Sequence, residues 1–250
     1  MTGTWINIVT VLVGGTLGLF FGARLPERAR QTVFHGLGVF TLLLGGRMFA
    51  ASQNAIVVLL GLLLGGLLGE WLRIEDGLRG LGAWFEAHFT SAAAANDGSS
   101  RFVRGFLTAS LLFCVGPMTI LGSIQDGLTG NYEVLATKAV MDGFAALAFA
   151  STLGVGVLFS AVVVLVYQGG LSLLAAQLQG VFTEAMLAEL NGAGGVLLVA
   201  LALSSLLELK RIRVGNLLPA LLVAPLLAHW WPTLMAGMQT AGQWLLRSVP

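Results

Sequence analysis

The sequence predicts an all-α, polytopic membrane helix bundle of about eight transmembrane helices, and three observations predict it. Of 250 residues, 56% are hydrophobic and only 10% are charged, against roughly 25% charged in a soluble domain. Mean hydropathy is +0.88. Apolar stretches close to the roughly 20 residues that cross a bilayer recur along the whole chain. The formal net charge of +1 leaves no basic surplus, so the lipid bilayer is the expected partner and nucleic acid is not.

The stretches are taken in chain order. Four lie before the centre, at 5–22, 32–49, 55–72 and 102–124, and four after it, at 134–152, 155–178, 194–207 and 214–231. Seven spans is the alternative count, with one long bent helix running through 152–156. The first stretch reads as a retained span rather than a cleaved signal. No Lys or Arg precedes it in residues 1–7, and Gly22-Ala23-Arg24 is a poor cleavage site.

Three units follow: a first three-helix membrane unit over 1–73, a cytoplasmic amphipathic helix and linker over 74–100, and a second membrane unit over 101–250 with a broken helix near Pro117. In the linker, Leu78, Leu81, Trp84, Phe85, His88 and Phe89 recur at helical spacing, which suits a helix lying in the interface. The segment SAAAANDGSS after it reads as flexible.

Cations set the expected sidedness. Arg24, Arg28 and Arg30 follow the first span, Arg73, Arg79, Arg101 and Arg104 flank the linker, and Lys210, Arg211 and Arg213 lie between the last two spans. With eight spans these segments share one side, which the positive-inside rule makes cytoplasmic. Residues 51–54, 126–133 and 183–191, with Glu184 and Glu189, then fall as loops on the other side, together with both termini. The expected location is a bacterial inner membrane, crossed many times.

Glycine supplies the packing signal, with 34 residues. Gly14, Gly18 and Gly22 in the first span, and Gly61, Gly65 and Gly69 in the third, give consecutive GxxxG steps that let backbones approach closely. Asn7 and Thr10 share the Gly14 and Gly18 face, pointing at a neighbouring helix. Such faces also suit a homo-oligomer. An inverted repeat is a further expectation, from GGTLGLFFG against ASTLGVGVLFS and HGLGVFTLLL against NGAGGVLLVAL.

The chemistry concentrates in CVGPMTILGSIQDGLTGNYEVLATKAVMDGF, residues 114–144. Pro117, after Gly116, removes a backbone donor, so the helix breaks there and frees carbonyls near membrane depth. Lys138 and Asp142 are four apart on the next helix and can pair. A charge near the bilayer interior costs about 3 kcal/mol or more unless satisfied, and such residues mark solute paths or proton relays. Asp126 and Glu133 read as loop charges, and Lys138 can instead snorkel to the outer interface. Asp142, about two turns inside its helix, is either a structural partner of Lys138 or part of a polar site. The candidate substrate-binding set is Asp142, Lys138, Thr119, Ser123, Gln125, Thr152 and Asn7, with backbone freed at Gly116 and Pro117.

Taken in order, GTWINIVTVLVGGTLG, RLPERARQTVFHGLGVFTLLLG, GPMTILGSIQDGL, KAVMDGFAALAFASTLGVGVLFSA and NLLPALLVAPL resemble the bacterial inner-membrane family known as domain of unknown function 554. The resemblance covers nearly the whole chain. It implies a polytopic inner-membrane protein, loosely described as a transporter, and carries no substrate or site residue with it.

Three functions are weighed. A transporter or channel for a small solute or ion is favoured by the broken helix facing a buried carboxylate. A structural or assembly protein, oligomeric without a solute path, is the alternative. An intramembrane enzyme is not expected: no GxSxG elbow and no paired-carboxylate motif is present. Cys114 has no second cysteine to join, and His35, His88 and His229 lack metal-ligand spacing, so neither a metal nor another cofactor is expected.

Overall fold

A computed structural model describes residues 1–22, 26–89, 95–115, 117–178 and 181–248. Some side chains within those ranges, including that of Pro117 and those of 95–100 and 237–248, fall outside the description. The helices are α1 Thr2–Gly22, α2 Glu27–Ala50, α3 Ala55–Leu72, α4 Ile74–Phe89, α5 Ala95–Cys114, α6 Pro117–Thr129, α7 Glu133–Leu153, α8 Gly156–Leu173, α9 Ala175–Leu178, α10 Glu184–Leu201 and α11 Ala220–Ser248. The protein is an all-α membrane bundle.

Among the described residues, six helical segments are long and apolar enough to cross a membrane. The pair α5 and α6, bent by 65° at the break, raises the number to seven. The expected eighth is α2. It is 24 residues long, but Arg28, Arg30, His35 and Arg47 dilute its apolar character. The region 152–156 is not one bent helix, because α7 ends at Leu153 and Gly154 turns the chain at φ 84° before α8 begins. Residues 183–191 are not a loop either. Thr183 caps α10, its hydroxyl accepting from the Met186 N–H, and the helix runs from Glu184.

Close backbone approach organises the bundle. A Cβ at Gly14 would lie 2.1 Å from the Gly143 carbonyl oxygen, and one at Gly18 would lie 2.2 Å from that of Leu147. Gly22 meets Ser151 in the same way. Because both numbers rise together, α1 and α7 run parallel. Gly61, Gly65 and Gly69 meet Ala224, Ala220 and Asn216 in turn, so α3 and the start of α11 run antiparallel. Gly45 against Gly195 joins α2 to α10, and Gly156 against Phe102 joins α8 to α5.

The two largest apolar cores among the described residues lie between these helices. Val11, Phe113, Phe149 and Val157 fill one between α1, α5, α7 and α8, and Val58, Leu190, Leu197 and Ala224 fill the other between α3, α10 and α11. Helix α4 does not lie free. Leu78 and Phe85 pack on Phe102, Phe106 and Phe159, while Trp84 stays exposed. The flexible tract assigned to 91–100 lies partly outside the described residues, and α5 already starts at Ala95.

The basic segments gather at one end. Arg101 donates to the Thr152 carbonyl, Arg104 pairs with Glu208, Arg213 pairs with Glu70, and Glu75 of α4 accepts from the Gly215 N–H at 2.7 Å. Carboxylates hold the opposite end. Asp126 accepts from the N–H groups of Thr2 and Gly3 at 3.1 and 3.0 Å, and Glu189 accepts from those of Gln53 and Asn54 at 3.0 and 2.7 Å. Each offers negative charge to the unpaired donors at or beside a helix N-terminus. Asp126 is therefore no solvated loop charge, being only 2% exposed. Glu133 is exposed, as expected.

Candidate functional site

Proline at 117 has no N–H to offer the carbonyl four residues earlier, so Phe113 at the end of α5 keeps an unclaimed acceptor. Gly116 itself lies outside the described residues. Lys138 claims the acceptor: its Nζ donates to the Phe113 oxygen at 2.7 Å. The Thr119 hydroxyl, in the first turn of α6, donates to the same oxygen at 3.4 Å. The Lys138 ammonium also makes an ion pair with Asp142 Oδ2, one turn along α7.

Asp142 is shared with α1. Asn7 Nδ2 donates to Asp142 Oδ2 at 2.9 Å and lies 2.9 Å from Gln168 Oε1 of α8. Gln168 Nε2 in turn donates to the Thr4 hydroxyl at 3.4 Å. Lys138 and Asp142 are each 6% exposed, and Asn7 and Gln168 are more deeply buried. Three membrane elements, α1, α5 and α7, thus meet on one ammonium and one carboxylate, and α8 joins them through Asn7.

Electrostatically the site favours a cation where Lys138 stands. The C-terminal end of α5 presents its partial negative charge there, and the Asp142 carboxylate adds a full one. Two charges buried in a low-dielectric interior persist only with good geometry and further hydrogen bonds, and both are supplied here. One acceptor stays over: Asn7 Oδ1 is buried without a hydrogen-bond partner. Two of the hydroxyls beyond the pair, those of Ser123 on α6 and Ser172 on α8, are likewise buried and unpartnered.

The structure brings together Asp142, Lys138, Asn7 and Thr119 from the sequence-derived set. Ser123 lies a turn further along α6 and is buried. Lys138 does not snorkel outward, because the freed Phe113 carbonyl draws its ammonium inward. Gln125 is exposed, facing away from the α6 interior. Thr152 belongs elsewhere: at the far end of α7, its hydroxyl donates to the Phe149 carbonyl at 3.0 Å, and its own carbonyl accepts Arg101. Sequence reasoning missed Gln168, Thr4 and the Phe113 carbonyl. Counting back four residues from Pro117 identifies that carbonyl, and Gln168 is the one amide in an otherwise apolar span, VLFSAVVVLVYQGG.

An apolar groove of about 490 Å³ lies on the outside of the bundle between α1 and α8, lined by Trp5, Leu12, Leu158 and Val162. Its lining includes none of Asn7, Lys138, Asp142 and Gln168.

Known relatives match the sequence over almost their full length. The chain is 34% identical over 229 residues to "Uncharacterized protein YqgA" of Escherichia coli (strain K12), covering 91% of this chain and 97% of the relative. It is 29% identical over 229 residues to "Uncharacterized membrane protein YdfK" of Bacillus subtilis (strain 168), covering 90% and 94%. No solved structure matches it. The family model described as "Protein of unknown function (DUF554)" matches residues 2–229, and the chain belongs to that family.

Proposed function

We propose that the protein is a multi-pass inner-membrane transporter or channel for a small solute or ion, working at the Lys138–Asp142 centre. The observation that carries this reading is the buried pair itself, set on the carbonyl that the break at Pro117 exposes. Interrupted helices with carbonyls and charges facing the bundle interior are how membrane proteins build solute and ion sites. A purely structural bundle gains little from such a pair, since apolar residues of similar volume stabilise as well or better.

The direction of the helices supports eight spans, with α2 as the eighth. The parallel pairs α1 with α7 and α5 with α8, and the antiparallel pairs α2 with α10 and α3 with α11, are all consistent with strict alternation. The basic end is then cytoplasmic. The same directions revise the proposed repeat. An in-plane two-fold axis reverses every helix, so it cannot relate α1 to the parallel α7. It can relate α1 to α8, α2 to α10, α3 to α11 and the bent α5–α6 to α7, because each of these pairs runs in opposite directions.

The alternative, an assembly protein held together by GxxxG faces, loses its main support. Those glycine faces are occupied within the chain. The test is a flux panel on protein reconstituted in liposomes, covering alkali cations, protons, halides and small neutral solutes. The account expects at least one to move faster than in protein-free vesicles, and movement of none sinks it.

A further inference from the structure

We propose that the ion handled at this centre is the proton, taken up and released by Asp142. This rests on the transport reading and names the ion class for it.

Hydrogen-bond supply around Asp142 points to the proton. As a carboxylate, Asp142 only accepts, and Oδ2 receives Lys138 and Asn7 Nδ2. As a carboxylic acid it must also donate, and a buried O–H without an acceptor is costly. The acceptor is present. Asn7 Oδ1 is buried and receives no hydrogen bond, and it belongs to the amide already touching Asp142. Turning that amide over brings Oδ1 to the carboxyl, and Gln168 turns with it, so that its Nε2 faces Asn7 Oδ1 and its Oε1 accepts from the Thr4 hydroxyl. Both protonation states of Asp142 therefore have a partner in the same residue.

Lys138 is provided for as well. When Asp142 loses its charge, the ammonium keeps the Phe113 carbonyl at 2.7 Å and the negative end of α5. In the uptake step, one O–H bond breaks in a hydronium ion arriving from the water phase and one forms on the Asp142 carboxyl. The ammonium keeps its three protons, and the centre goes from net neutral to one positive charge. Release reverses the step.

The other ionisable groups around the pair can be named. Cys114 at the end of α5 lies within electrostatic reach of Lys138 and Asp142, and Tyr167 of α8 lies within electrostatic reach of Cys114. α1 carries no ionisable side chain. The only one on α6 is Asp126, engaged at the start of α1. Those of α2 are Glu27, Arg28, Arg30 and His35 near its start and Arg47 in its last turn. Asp142 joins α7 to α1, and through Asn7 it meets α8, so one proton alters the contact between three helices.

The experiment uses the full chain in liposomes with a trapped pH-sensitive dye and an imposed potassium diffusion potential, alongside pH-difference infrared spectra of the same samples. The expected result is potential-driven proton movement, cut at least ten-fold by Asp142→Asn. A carboxylic-acid band should be present in the wild type, absent in Asp142→Asn and shifted in Asp142→Glu, which keeps a titratable group and retains proton movement. Should Asp142→Asn not fold, the band and its shift in Asp142→Glu still decide. Asp142-dependent flux of another solute, with unchanged internal pH and no such band, overturns the proton assignment and leaves the transport reading standing. Absence of any Asp142-dependent flux overturns both.

Discussion

At the scale of single residues, Lys138 and Asp142 make opposite demands on the bundle when separated. Removing the carboxylate with Asp142→Ala leaves Lys138 with the Phe113 carbonyl and no counter-charge, a loss of about 3–5 kcal/mol by the usual cost of breaking a buried pair. Lys138→Met alone should cost less, because Asp142 can hold a proton and donate it to Asn7 Oδ1. The double variant should recover most of either loss, because an apolar pair needs no compensation. Melting temperatures of the two single variants and the double variant in one detergent measure the coupling, and simple additivity would show that the two charges do not depend on each other. This centre was half legible in the sequence. Lys138 and Asp142 stand out because charge is rare in apolar runs, and Asn7 stands out as an amide on a glycine face. Gln168 was hidden by distance, since 161 residues separate it from Asn7. Thr152 and Gln125 lie away from the pair, because helical spacing gives a face but not which neighbour covers it.

At the scale of elements, the glycine spacing in α1 and α3 was legible because GxxxG has a direct geometric meaning. What spacing could not tell was the partner, which proved to be α7 and α11 of the same chain. Gly18→Leu drives a side chain into the Leu147 carbonyl, and Gly65→Leu drives one into the backbone of Ala220, 2.4 Å from where a Cβ would sit. Each should cost about 1–3 kcal/mol or more through overpacking. The melting temperature should fall by several degrees, at roughly 2–4 °C per kcal/mol for a chain of this size. An unchanged value at either site would mean that the helix pair there is not in contact. The break between α5 and α6 was legible for the same kind of reason, as proline removes a particular hydrogen bond. The helical start of α10 was not, because Glu184 and Glu189 look like loop residues until Glu189 is seen binding Ser52 at 2.7 Å.

At the scale of the whole molecule, the fold class followed from composition and the recurring apolar stretches, while the number of spans did not, since α2 mixes apolar and basic residues. The cation-rich end and the carboxylate-held end define the proposed orientation. Cysteines introduced at Ser99 and at Asn131, an exposed position between α6 and α7, should label from opposite sides. An impermeant reagent applied to intact cells or spheroplasts should reach Asn131→Cys and not Ser99→Cys. The reverse pattern would invert the orientation, and labelling of both would break the alternation of spans. Flux through the Lys138→Met/Asp142→Asn double variant, measured beside the wild type in liposomes at equal protein density, decides whether the pair is the site of transport. The account predicts a bundle that melts near the wild-type temperature and carries at least ten-fold less flux, because the pair is the site of transport rather than a brace. Wild-type flux from that variant would contradict it.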